Sequence, residues 1–148
     1  MMKPAIIGAA LSVLAACASQ PAQDAGVASN LASPCQSRAV EIYFDDQQDA
    51  LSPAADTALR FDVASALTCR VVSVRVVGLA DALTGTAESN QALSQRRADR
   101  VAARITELGV PAGLITTEAL GQEDAMTGSI ERPLRRRTHI EFSLSDPA

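Results

Sequence analysis

Residues 70–110 read RVVSVRVVGLADALTGTAESNQALSQRRADRVAARITELGV, and the pattern changes twice along them. Arg70 to Val77 is rich in β-branched residues, with Val72, Val74 and Val76 set against Ser73 and Arg75, as a half-buried strand requires. Gly78 opens a polar loop. Ser89 or Asn90 then caps a helix whose Leu93, Val101, Ile105 and Leu108 share one stripe, and Gly109 with Pro111 beyond marks its end.

Working outward, Val40, Ile42 and Phe44 alternate with Glu41 and Tyr43 in a first strand that begins near Arg38. Ser52-Pro53 starts a helix, Ser at the N-cap and Pro at the first helical position. Its Ala55, Leu59, Val63 and Leu67 recur every four residues. Downstream, Leu114 to Leu120 reads as a short strand. In a last strand, Thr138, Ile140, Phe142 and Leu144 alternate with His139, Glu141 and Ser143. With no internal repeat, the expected fold class is α+β: a single domain with one mixed β-sheet, helices packed on one face, in the order β-α-β-α-β-β.

The 148 residues hold one such domain plus a targeting segment and a linker. Lys3 followed by the apolar run Pro4 to Ala16 has the form of a signal peptide, too short to span a bilayer. The run closes in Leu14-Ala15-Ala16-Cys17, which looks like a bacterial lipobox, with an ordinary signal peptide ending nearby as the alternative. Cys17 is then the lipidation site and the anchor, and Ala18 after it implies the outer membrane for such lipoproteins. From Ala18 to about Pro34 the chain is Ala, Ser, Gln, Asn and Pro without periodicity and reads as a flexible tether. The expected boundaries are 1–16 signal peptide, 17–36 lipidated Cys17 and linker, and 37–146 folded domain.

Removing Cys17 from the three cysteines leaves Cys35 and Cys69, an even pair in an oxidising compartment. A disulfide is the natural inference, tying two strand starts together; two free thiols are the alternative. Without a C-x-x-C spacing or a nearby His, neither redox catalysis nor a metal site is supported.

The formal net charge of -4 and the scarcity of aromatics argue against nucleic acid as a partner. Asp45, Asp46, Asp49, Asp56 and Asp62 come early and Arg96, Arg97, Arg100, Arg104, Arg132, Arg135, Arg136 and Arg137 late, which reads as two solvated faces. One of these departs from that reading. Arg97 falls between Leu93 and Val101 on the core-facing stripe, whereas Arg96, Arg100 and Arg104 lie off it. A buried guanidinium needs an anion, and Asp81, just past the second strand, is the best candidate; a structural ion pair is the simplest role for the two.

The segment Gly78-Leu79-Ala80-Asp81, then Gly85, Asn90, Leu93-Ser94 and Arg97-Ala98, resembles the G-H-[TA]-D…G…N-x-x-L-S-x-x-R-A signature of OmpA-like domains, including the peptidoglycan-associated lipoproteins. Arg136-Arg137-Thr138-His139-Ile140 is similar to that family's R-R-V-E-I strand, and Gly121-Gln122-Glu123 to its G-x-E turn. The resemblance implies non-covalent binding of peptidoglycan, with Asp81 and Arg97 gripping the free zwitterionic end of diaminopimelate on the stem peptide, Asn90 capping the helix and reaching the ligand, and Phe44 and Asp45 lining the site. A lipid on Cys17 would then tether the outer membrane, or an envelope complex, to the wall. Leu79 stands where the family has His, Ser89 where an aromatic residue is common, and the Asp81 to Asn90 loop is one residue longer. These departures frame the alternative: a protein-interaction lipoprotein of an envelope or secretion complex, its wall site degenerate and its Arg132 to Arg137 cluster meeting an acidic partner. No catalytic motif is present, His139 faces away from the core, and no cofactor is implied, so an enzyme is not expected.

Overall fold

The computed structural model describes residues 33–123, 126–127, 130–131 and 136–147. The segments expected to be signal peptide and tether, up to residue 32 and including Cys17, lie outside the described residues, as do Arg132 and Arg135. The elements run β1 (Arg38–Tyr43), α1 (Pro53–Ala66), β2 (Arg70–Gly78), α2 (Ala87–Glu107), a short 3-10 turn (Ala112–Leu114), β3 (Ile115–Ala119), β4 (Met126–Thr127), β5 (Ile130–Glu131) and β6 (Arg137–Ser145). The main sheet has the order β1-β6-β2-β3, and β4 pairs with β5 in a separate two-stranded ribbon. Strand β6 is antiparallel to both β1 and β2, and β2 is parallel to β3. The fold is thus α+β with a mixed sheet. The β4–β5 ribbon was not anticipated, because two-residue strands carry no periodicity to read.

Both helices cover one face. Leu59 and Val63 of α1, Val101 and Ile105 of α2, Ile42 of β1, Val74 and Val76 of β2, and Ile140 and Phe142 of β6 form one buried cluster. Ser52 caps α1 by accepting from the Ala55 amide, with Pro53 opening the helix. Two details of the expected pattern change. Leu67 is 44% exposed because α1 ends at Ala66 and Leu67 is already its C-cap, so Ala66 takes the buried position. Val72 is 49% exposed: the register shifts between Val71 and Ser73, a bulge that inserts one residue and reverses the alternation upstream of it. Val71, opposite Leu144, therefore packs on the core instead.

The other face of the sheet carries polar and charged side chains in a row. Glu41 meets Arg137 and His139, His139 meets Glu141, and Arg75 joins Glu141 to Glu118. These pairs keep the uncovered face hydrated and contribute little to stability individually. Glu141 is held below the usual carboxylate range first by Arg75 and then by His139.

Gly78 sets how closely α2 approaches the sheet. A Cβ there would lie 1.9 Å from the Ser94 carbonyl oxygen, a distance no side chain tolerates, so only glycine lets the helix backbone rest on the end of β2. At the opposite end of the sheet, Cys35 and Cys69 form a disulfide with a Cα–Cα distance of 5.5 Å. Because β1 and β2 flank β6 and run the same way, their first residues lie on either side of the β6 C-terminus, and the bridge ties them there.

Across the two helices, Asp56 in the first turn of α1 accepts from Arg104 of α2 at 2.6 Å and from Arg60 at 2.7 Å. Hydrogen bonds from Arg104 and then Arg60 hold its carboxyl at about 2, below its ordinary 3.8.

Two outcomes follow from these ties. Reducing the disulfide, or the Cys35→Ser, Cys69→Ser pair, removes closure of a loop with a sequence separation of 34 and is expected to lower unfolding free energy by about 3 to 4 kcal/mol in urea melts with and without reductant. Since the Asp56 pKa is depressed on folding, its contribution is present above 3.8 and lost as pH falls toward about 2. Asp56→Asn should destabilise at neutral pH and flatten the decline of stability across that window, read from urea melts at a series of pH values.

Candidate ligand site

At the C-terminal ends of β1 and β2 the chain turns into two loops, 44–52 and 79–86, and α2 passes over both. Thr86 is the N-cap of α2 and accepts from the Ser89 amide, while the Ser89 hydroxyl accepts from the Thr86 amide, a reciprocal capping box. Ser89 and Asn90, the expected caps, are therefore inside the first turn. The expectation missed because Ala87 and Glu88 continue no apolar stripe and hide the true start. Gly85, at φ +83°, makes the turn into this cap.

Released from capping, Asn90 is fully buried and ties the loop down. Its amide nitrogen donates to the Asp81 carbonyl at 2.9 Å and to the Gln122 side chain at 2.7 Å. This fixes the backbone of Asp81 relative to the Gly121-Gln122-Glu123 turn, whose Gly121 carbonyl accepts from the Ala80 amide at 2.7 Å.

Arg97 is fully buried, as its place on the stripe requires. Its partners differ from the expected ion pair. Nε donates to the Gln48 carbonyl at 2.8 Å, Nη1 to the Leu79 carbonyl at 2.9 Å and Nη2 to the Asp45 carbonyl at 3.2 Å. The guanidinium also lies 5.0 Å from the centroid of the Phe44 ring, a cation–π contact. Gln47, at φ +52°, turns the chain, and the Gln48 amide bonds to the Asp45 carbonyl at 3.1 Å. Burial lowers the Arg97 pKa, and Asp81 is the strongest opposing influence; a guanidinium nonetheless stays protonated. Three carbonyl dipoles replace the direct carboxylate contact, because the sharp turn after β1 brings backbone oxygens to the guanidinium that no residue pattern announces.

Asp81 is buried, with 6% of its side chain exposed. Thr84 donates to its Oδ1 at 3.3 Å, and Arg136 Nε lies 3.6 Å from Oδ2. Phe44 is buried beneath Arg97, whereas the Asp45 side chain is exposed and this residue offers Arg97 its carbonyl alone. The structure thus gathers Asp81, Arg97, Asn90, Phe44 and the Asp45 backbone at one end of the sheet. Sequence reading missed Gln48, Thr84 and Gln122, which contribute through loop geometry, and the pairing of Arg136 with Asp81, for which the Arg136-Arg137 doublet was the available signal. Among the described residues, no group of three or more His, Cys, Asp or Glu is arranged to hold a metal ion, and no helix is long and apolar enough to cross a membrane.

These features define an α+β domain with a buried arginine clasped where two parallel strands end. The chain belongs to the OmpA family, whose sequence model matches residues 43–138. Outer membrane protein A of Shimwellia blattae is 33% identical over 102 residues, covering 68% of this chain and 42% of that protein; the chain matches less than half the length of this relative. Among solved structures, the cell wall anchor of the T6SS from Pseudomonas aeruginosa superposes with a TM-score of 0.62 at 20% identity, covering 74% of this chain and 82% of that one. The peptidoglycan-associated lipoprotein from Burkholderia pseudomallei gives 0.55 at 23% identity, covering 71% and 89%.

Removing the clasp tests its weight in the fold. Arg97→Met keeps an unbranched apolar stem but withdraws every donor from the Gln48, Leu79 and Asp45 carbonyls. The expected loss is about 2 to 5 kcal/mol in urea melts, with Arg97→Lys recovering only part of it, since one ammonium cannot replace a planar fork.

Proposed function

We propose that this chain is a peptidoglycan-binding domain of the bacterial envelope, in which Asp81 and Arg97 grip the free end of diaminopimelate on the stem peptide. The observation that carries the reading is a buried carboxylate and a buried guanidinium converging at one end of the sheet in a member of this family. A zwitterion suits such a place: its ammonium seeks the Asp81 carboxylate, and its carboxylate seeks a guanidinium fork. Asn90 acts through the backbone of Asp81, and Phe44 floors the Arg97 side. The names of the solved relatives, a cell wall anchor and a peptidoglycan-associated lipoprotein, point the same way. The activity is binding, with no chemical step.

The anchor half of the reading rests on Leu14-Ala15-Ala16-Cys17. Acyl chains on Cys17 hold the chain in the outer membrane, the tether spans the gap, and the domain faces the periplasm and grips the wall. Each attachment raises the local concentration of the other, so modest affinity at one site gives durable tethering.

One observation favours a second reading. Arg97 has already spent three N–H groups on backbone carbonyls, consistent with a site kept for structure while the domain docks on another envelope protein. Co-sedimentation of the detergent-purified full chain with diaminopimelate-type sacculi separates the two. Asp81→Asn keeps shape and removes charge. Wall binding predicts that wild type pellets, that free diaminopimelate releases it, and that Asp81→Asn weakens pelleting at least about 30-fold, equivalent to about 2 kcal/mol. A wild type that stays in solution supports docking instead.

A further inference from the structure

The site contains a second arginine, and its circumstances are opposite to those of Arg97. Arg136 directly precedes β6, and its carbonyl accepts from the Phe44 amide at 2.8 Å, so its backbone is pinned. Its side chain is 38% exposed and lies between two carboxylates, Nε 3.6 Å from Asp81 Oδ2 and Nη1 3.7 Å from Asp46 Oδ1. Both distances exceed hydrogen-bond length. The contacts are therefore ionic but undirected, and the guanidinium can leave them by side-chain rotation alone. Arg97 cannot: it is buried, bonded to three carbonyls and stacked near Phe44.

Asp81 needs the cation it has. A buried carboxylate without a counter-charge costs several kcal/mol, and among the described residues its other polar side-chain partner is the Thr84 hydroxyl at 3.3 Å. Arg136 is close enough to weigh against the charge of Arg97 as well. An incoming ammonium therefore meets an Asp81 already neutralised, and must replace Arg136 there.

We propose that Arg136 is the specificity-determining residue of this site: it neutralises Asp81 in the free protein and joins Arg97 at the ligand's carboxylate when the ligand's ammonium takes its place. The proposal rests on the wall-binding reading and deepens it. A ligand end bearing only an ammonium exchanges one cation for another at Asp81 and leaves Arg136 with the exposed Asp46 alone, a near-balanced swap. A ligand end bearing only a carboxylate approaches Asp81 and Asp46 while Arg136 is still engaged by them. A zwitterion supplies both charges at once, so the displaced guanidinium gains a partner it can hold in a bidentate fork. Selectivity arises because the wrong ligand leaves a charge unpaired.

The test uses the detergent-purified full chain and two soluble muropeptides that differ at one group: a stem ending in diaminopimelate, and the same stem ending in lysine, which lacks the side-chain carboxylate. Binding is measured for wild type, Arg136→Gln, Arg136→Lys and Asp81→Asn, with thermal melts to establish that each variant is folded. Wild type is expected to prefer the diaminopimelate stem. In Arg136→Gln that preference falls roughly tenfold or more, through weaker binding of the diaminopimelate stem and unchanged or tighter binding of the lysine stem. Arg136→Lys restores part of it. If wild type binds and Asp81→Asn abolishes binding while Arg136→Gln keeps the full preference, the exchange is wrong and wall binding stands. If wild type binds neither muropeptide, both are overturned.

Discussion

A guanidinium that has left water must find acceptors for its N–H groups, and Arg97 organises one end of this domain around that requirement. The helix places it on the buried stripe, Gly78 lets the helix sit low on β2, and the resulting reach meets the Leu79 carbonyl. The loop after β1 must then bend so that the Asp45 and Gln48 carbonyls complete the set. Three segments distant in sequence are fixed by one side chain. That rigidity is what allows a charged site to be built on loops, because each loop is held by a backbone hydrogen bond to the same buried group.

The sheet is polarised by this arrangement. At one end the disulfide joins the starts of β1 and β2; at the other, the same two strands deliver Phe44 and Leu79 to the arginine. Strand β2 runs directly from Cys69 to the Gly78–Asp81 loop. The covalent tie lies where the chain enters the domain and the charged cluster lies opposite, with the buried cluster of Val74, Val76, Ile140 and Phe142 between them. Charges elsewhere follow a different logic. Arg75, Glu118, Glu141, His139, Glu41 and Arg137 pair across a half-exposed sheet face, where water screens them and their loss is tolerable. Among the described residues, a carboxylate and a guanidinium that are both buried, Asp81 and Arg97, occur at the strand ends, where the cost of an unpaired charge is larger.

Much of this was legible in the sequence. Alternation in β1, β2 and β6 and the four-residue spacing in both helices report burial one face at a time, and burial depends on nearby residues. The cysteine pair was readable by count, and Arg97 by its conflict with the stripe around it. Where the reading slipped, a longer-range cause operated. The bulge at Val72 exists because β2 must stay in register with β6, a strand about seventy residues downstream in sequence, and Leu67 leaves the stripe because the chain must turn to reach Cys69.

The sequence by itself determined the α+β class, the element order, the cysteine pattern, and the presence of a buried arginine near an acidic loop, since each follows from local periodicity, from a count, or from a residue type out of place. Only the tertiary structure decided what that arginine holds. Backbone carbonyls are the same in every residue, so no sequence pattern marks Gln48, Leu79 and Asp45 as its acceptors, and the pairing of Asp81 with Arg136 depends on the fold bringing the β2 end beside the start of β6.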